Sequence, residues 1–185
     1  MSRIPALAAE SLPPALQALL ATRPAYNVYR VLAHAPTVLP GFLQMAGALL
    51  TQGELDPQLR ELVILRVGAH CRSAYEIHQH LRLARHVGVS AARIDKALRL
   101  DGPAAASTLE DRLLAFTDQV VLQVKADAAL FGALQAELSP RALVELLMTI
   151  GTYMMVSRVL ENLEVEIERD GVDIAGRYGA QADGR

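Results

Sequence analysis

Apolar residues return every three or four positions along most of the chain, which is the period of a helix with one face turned inward and leaves little room for strands. Ser11 and the prolines after it suit a helix start running to about Ala21, and "AYNVYRVLAH" gives a short second helix. "PTVLPGFLQMAGALL" reads as a third. In "LDPQLRELVILRVGAHC" Asp56 is a cap, Pro57 takes the first helical position, and the rest is apolar nearly all round, the mark of a central helix. "SAYEIHQHLRLARHVG" ends at Gly88, and "SAARIDKALRL" starts at Ser90. "STLEDRLLAFTDQVVLQVK" and "AALFGALQAEL" follow, and a long helix runs from about Pro140 to Glu168 with Ser139 as its cap. "GVDIAGRYGAQADGR" has no periodic apolar face. The pattern predicts an all-α fold of about eight or nine helices. It forms a single domain over residues 1–170, with a mobile tail or arm over 171–185.

Composition supports helix over strand. The chain is 52% hydrophobic but only 4% aromatic, and Ala and Leu, which keep their rotamer freedom in helices, dominate. A net charge of −2 with both signs interspersed gives no electrostatic reason to expect nucleic acid or an anionic membrane as partner. One cysteine excludes an internal disulfide and fits a reducing compartment. The opening apolar run is broken by Glu10, Pro13 and Pro14, so no signal peptide is expected. The apolar run "LVELLMTIGTYMMV" (143–156) falls short of a bilayer span. The expectation is a cytoplasmic protein that assembles with copies of itself.

Chemistry concentrates in "ELVILRVGAHCRSAYEIHQH", residues 61–80. Cys71, His70, His78, His80 and Glu76 are all zinc-ligand types, but His78 and His80 lie two apart and point to nearly opposite sides of a helix. No metal site is expected. Cys71 has no second cysteine to resolve it and lies at a helix C-terminus, where the dipole disfavours a thiolate, so a small buried residue is its expected role. Ser73 and Glu76 form S-x-x-E at a helix start, a capping box that by itself accounts for both. Yet Glu76 and His80 are four apart and share a face. Glu61 stands in an inward stripe with Ile64, Leu65 and Gly68, where a carboxylate must be paired or carry a raised pKa. Gly68 leaves room there for another backbone or for a ligand. A buried glutamate near a histidine is what proton transfer requires.

The stretch "RELVILRV…SAYEIHQHLRLARHVGVS" resembles the carboxymuconolactone decarboxylase family, which shares its fold with the alkylhydroperoxidase-like proteins. "NVYRVLAHAPTVLPGF" before it and "GTYMMVSRVLENL" after it extend the resemblance over roughly residues 25 to 165. The peroxidase branch carries E-x11-C-x2-C-x3-H. With its glutamate on Glu61, the cysteines fall on Ser73 and Glu76 and the histidine on His80, so the redox pair is missing. Tyr75-Glu76-Ile77 followed by His80 is closer to the decarboxylase-like branch, with Ile in place of Trp. The resemblance implies an alkylhydroperoxidase-like helical fold assembled into a homo-oligomer, trimer or hexamer, with the site near a subunit contact.

Residues 83–98 also read as a helix-turn-helix, with Ala84, Gly88, Val89, Ser90, Ile94 and Leu98 at its small, turn and core positions. Arg82, Arg85, Arg93, Lys96 and Arg99 add positive charge, but the recognition helix would present Ala91, Ala92 and Asp95, poor groups for reading bases. His34 and His86 sit near helix ends, where a ring nitrogen can bond free carbonyls. Arg158 and Asn162 share a face of the last helix.

The leading expectation is a cofactor-independent lyase, not a thiol peroxidase, doing acid–base chemistry on a small organic acid or lactone. His80 is the candidate general acid/base, with Glu61 or Glu76 orienting it and holding the other proton. Tyr75 and Ser73 are candidate substrate-binding residues. The alternatives are an alkylhydroperoxidase-fold protein with a residual antioxidant role, a non-catalytic oligomeric binding protein, and, behind these, a DNA-binding unit.

Overall fold

The computed structural model describes residues 2–101 and 106–168; the expected tail at 171–185 lies outside them. Nine α-helices and one short 3-10 turn, and no strand, occur among the described residues. The chain forms two compact units, one from Met1–Thr51 with Val159–Arg185 and the other from Gln52–Arg158.

The first unit holds the 3-10 turn Ala9–Ser11 and helices α1 (Pro14–Ala21), α2 (Asn27–Leu32) and α3 (Leu39–Thr51). Its core is Leu12, Leu16, Ala33, Leu39 and Leu43. Its two chain segments are fastened by the Arg3 N–H on the Leu163 carbonyl at 2.9 Å and by Arg3 on Glu164 at 2.7 Å.

The second unit is built around α4 (Pro57–Cys71), which packs against α5 (Ala74–His86), α6 (Ala91–Leu98) and α7 (Leu109–Gln123); α8 (Ala128–Gln135) lies on α7. α4 starts as its sequence dictates: the Asp56 side chain accepts from the Gln58 and Leu59 amides, with Pro57 at the first position. Every residue from Arg60 to Gly68 is buried, which is why this helix is apolar all round. Leu62 and Leu65 join Ala84, Val89, Ile94, Ala97 and Leu114 in one cluster, each large side chain contributing about 1.5–3 kcal/mol of burial.

Helix α9 runs Pro140–Leu163, its residues through Arg158 belonging to the second unit. The Ser139 hydroxyl accepts from the Ala142 amide at 3.0 Å, as a cap does. α9 is long and apolar enough to cross a membrane, and it is longer than the apolar run at 143–156; half of its most apolar stretch is buried within the structure, as in the core helix of a soluble protein. It stops five residues before the expected Glu168. Glu164 turns left-handed at φ +50°, and the amides of Glu164 and Val165 fold back onto the carbonyls of Glu161 and Leu160. That closing motif needs no glycine, so the sequence carries no stop signal there.

Candidate active site

The site lies wholly within the second unit and begins with how α4 ends. Arg72 takes a left-handed conformation at φ +53°, and the Ser73 amide bonds the Gly68 carbonyl at 2.9 Å. The chain therefore reverses at once and lays the first turn of α5 onto the inward stripe of α4. Gly68 permits that contact: a Cβ there would stand 3.2 Å from Ile77 Cγ1 and 3.7 Å from Glu76 Cβ. The room it leaves is filled by α5.

That approach brings His80 against Glu61, with Nδ1 2.7 Å from Oε2. Glu61 also receives Arg60, at 3.3 Å from its Oε1. On the other side of the ring, Nε2 faces Glu76 Oε2 at 3.5 Å, too long for a firm hydrogen bond. Tyr153 of α9 closes the cluster edge-on, its ring centroid 4.8 Å from that of His80. Glu61, Glu76 and His80 side chains are 1%, 7% and 6% exposed. Glu61, Glu76 and His80 thus meet as the spacing suggested.

Burial decides the protonation of this group. It pushes the Glu76 carboxyl up, the His80 charge pulls it back, Glu61 pushes it up again, and it settles at about 7. For His80, burial disfavours the imidazolium, but the charge and hydrogen bond of Glu61, with Glu76 behind them, outweigh burial and hold its pKa above the ordinary value. Two ionisable groups then face each other, a carboxyl that holds its proton to about pH 7 and an imidazole whose charged form is favoured.

The Ser73–Glu76 capping box does not form. Ser73 occupies the cap position, but its side chain bonds no amide, and Glu76 turns to His80 instead. The local pattern was right for the helix start and wrong for the carboxylate, which faces the buried ring instead of the cap. Tyr75 is buried. Cys71 is half-buried rather than buried, because α4 has reached its exposed end there. His78 is exposed, on the side away from His80. His34 bonds the Pro5 carbonyl at 2.9 Å, a loop rather than a helix end. Arg158 is exposed and returns to its own helix at the Met154 carbonyl. Among the described residues no cluster of three or more His, Cys, Asp or Glu is placed to hold a metal ion.

A second polar cluster escaped the sequence. Arg66, 1% exposed, grips Asp118 of α7 through Nε and Nη2 at 2.5 and 2.6 Å, and reaches the carbonyls of Ala97 and Arg99 at the end of α6. His70 Nε2 takes Asp118 Oδ1 at 2.6 Å. An arginine on an apolar helix was the available signal, since a buried charge must find a partner. In the region read as helix-turn-helix, Arg93 and Lys96 pair with Glu110, and Lys96 also with Asp111.

This helical arrangement is the alkylhydroperoxidase-like fold. The chain superposes with a TM-score of 0.75 on an uncharacterized peroxidase-related protein from Ralstonia eutropha JMP134, described as an alkylhydroperoxidase AhpD core, at 17% identity over 91% of this chain and 93% of that one. A peroxidase-related protein from Silicibacter sp. TM1040 gives 0.70 at 17% identity, over 89% and 92%. A cysteine-to-alanine variant of the debrominase Bmp8, in complex with 2,3,4-tribromopyrrole, gives 0.71 at 16%, over 89% and 90%. At such identities the likeness speaks for the fold. No curated protein matches the chain. Residues 36–119, a segment that contains Glu61, Glu76 and His80, match the Carboxymuconolactone decarboxylase family.

Proposed function

We propose that the protein is a cofactor-independent enzyme that moves a proton during decarboxylation, or a related step, of a small organic acid or lactone. The observation behind this reading is the buried imidazole set between two carboxyl groups, Glu61 at Nδ1 and Glu76 facing Nε2. In a conjugated carboxy-lactone the bond to the carboxylate breaks and its electron pair moves into the lactone carbonyl, releasing CO2. His80 then delivers a proton to the carbon at the far end of the conjugated system, the carbonyl re-forms, and Glu76 restores the proton to the ring. The net change is CO2 for H⁺. Glu61 acts through His80, fixing the ring and favouring its charged form, and so is a positioning residue. Ser73 and Tyr75 contribute to binding. The thiols of a peroxidase have no counterpart at Ser73 and Glu76. A homo-oligomer, trimer or hexamer, would cover the exposed apolar positions Val144, Leu147, Met148 and Met155 of α9.

CO2 release from a carboxymuconolactone tests the reading. His80→Gln is expected to slow it about 10²- to 10⁴-fold with the helical circular dichroism unchanged. A near-normal rate in that variant removes His80 from the reaction, and no release by the unmodified protein removes this substrate class.

A second reading draws on the burial itself: the cluster is a polar lock between α4 and α5 with no turnover. It expects His80→Gln to unfold the protein at markedly lower urea and no small acid to bind.

A further inference from the structure

The chain has two lysines, and the structure treats them in opposite ways. The ammonium of Lys96, on α6, meets Glu110 at 3.1 Å and pairs with Asp111, both in the first turn of α7. The hydrogen bond to Asp111, opposed by burial and reinforced by Glu110, holds the Lys96 pKa above its ordinary value. An amine attacks only through the lone pair it has when unprotonated, so Lys96 is both charged and tied.

Lys125 stands at the corner between α7 and α8, exposed and with no ion pair or hydrogen bond among the described residues. That corner is fixed from both sides. The Gln119 side-chain amide donates to Asp127 Oδ2 at 2.7 Å, and Gln119 Oε1 accepts from the Asp127 amide at 2.7 Å. Asp127 in turn caps α8 through the Leu130 amide. Between them Val124 is held left-handed at φ +68°, a conformation that a β-branched side chain rarely adopts, and is 87% exposed. Strain of this kind persists only where the surroundings enforce it, and it gathers at working positions. The strained residue immediately precedes the lysine. Leu122, 68% exposed, adds a second apolar side chain, and Lys125 is the only charge in the stretch 119–126.

We infer that Lys125 is a modification site that accepts the acyl group of an activated thioester. Its nitrogen attacks the acyl carbon, the amide C–N bond forms as the C–S bond breaks, the thiol leaves and the amine proton passes to water. No oxidant or reductant enters. Acylation removes the one charge of the stretch and leaves Leu122 and Val124 on an uncharged apolar corner. Lys125 has no part in the chemistry proposed at His80.

Incubation of the full chain with acetyl-coenzyme A at mildly alkaline pH, cleavage after arginine and mass spectrometry test the assignment, because Lys96 lies in the fragment 94–99 and Lys125 in 113–141. In the folded chain Lys125 is expected to react at least about tenfold faster, since hydrogen bonds to a charged group must break before Lys96 can attack. In urea the two should react alike, as neither then has a partner. Lys125→Arg should leave only the slow Lys96 signal. Equal rates in the folded chain overturn the assignment. So does a Lys125 that reacts in urea and is spared in the folded chain, which shows the corner to be covered.

Discussion

Helix α4 gives His70 to one imidazole–carboxylate pair and Glu61 to another, and the two pairs differ in what surrounds the carboxylate. Asp118 is held by both arms of the Arg66 guanidinium, and His70 adds a further contact. Arg66 in turn meets carbonyls at the end of α6. Donors and acceptors match, so the cluster fastens α4 to α6 and α7 and leaves little for chemistry. The His80 cluster is the opposite case. Its cation Arg60 stands 3.3 Å from Glu61, and a second carboxyl, Glu76, has only the 3.5 Å approach to the ring. Burial, with Glu61 nearby, therefore lets Glu76 keep its proton to about pH 7. Balanced charge builds structure, and a surplus carboxyl leaves a proton to move.

Breaking the balanced cluster should do the most damage. Asp118→Ala leaves the Arg66 charge buried without its carboxylate and is expected to cost about 3–5 kcal/mol in urea unfolding. Turnover per folded molecule should stay within about twofold. A small loss of stability would mean that the two clusters are alike after all.

The surplus carboxyl should appear as a pH dependence. Between pH 4.5 and about 7 the folded chain keeps the Glu76 proton that the unfolded chain releases, so stability falls as pH rises through that window. The raised pKa of His80 acts in the same direction: its contribution is complete below about 6.5 and is lost as pH climbs through the folded value. Glu76→Gln is expected to recover on the order of 2–3 kcal/mol at pH 8 and little at pH 4. In the unmodified protein, turnover should decline above about pH 7, and the variant should lack that limb.

Two glycines give the smallest contrast. Gly68→Ala presses Ile77 away by a few tenths of an ångström, at a cost of about 1 kcal/mol, and shifts the turn carrying Glu76, so turnover should fall several-fold. Gly151→Ala meets nothing within 4 Å in the middle of α9 and should stabilise by up to about 1 kcal/mol. Thermal midpoints and rates separate the two.

Much of this fold could be read from local chemistry. Asp56 with Pro57, Ser90 and Ser139 each mark a helix start through bonds made within three residues, and such bonds leave their pattern in the sequence. The end of α9 could not be read, because Glu164 turns left-handed without a glycine or proline to announce it. At the site, the i, i+4 relation of Glu76 and His80 and the inward place of Glu61 were legible, as was the need of a buried carboxylate for a partner. Arg66, His70 and Asp118 were not joined, since Asp118 is 52 residues from Arg66 and only tertiary packing brings it there. Ser73 is the instructive failure. The capping pattern was present, but tertiary packing turns its glutamate toward a buried imidazole.

A carbon-13 NMR titration of the labelled Glu76 carboxyl tests the poised proton most directly. The expected midpoint is near pH 7, and it should stay above the usual carboxylate range in Glu61→Gln, because burial, the largest cause, is unchanged. A midpoint between pH 4 and 5 in the unmodified protein would show an ordinary ionised glutamate beside His80 and contradict the surplus-carboxyl centre.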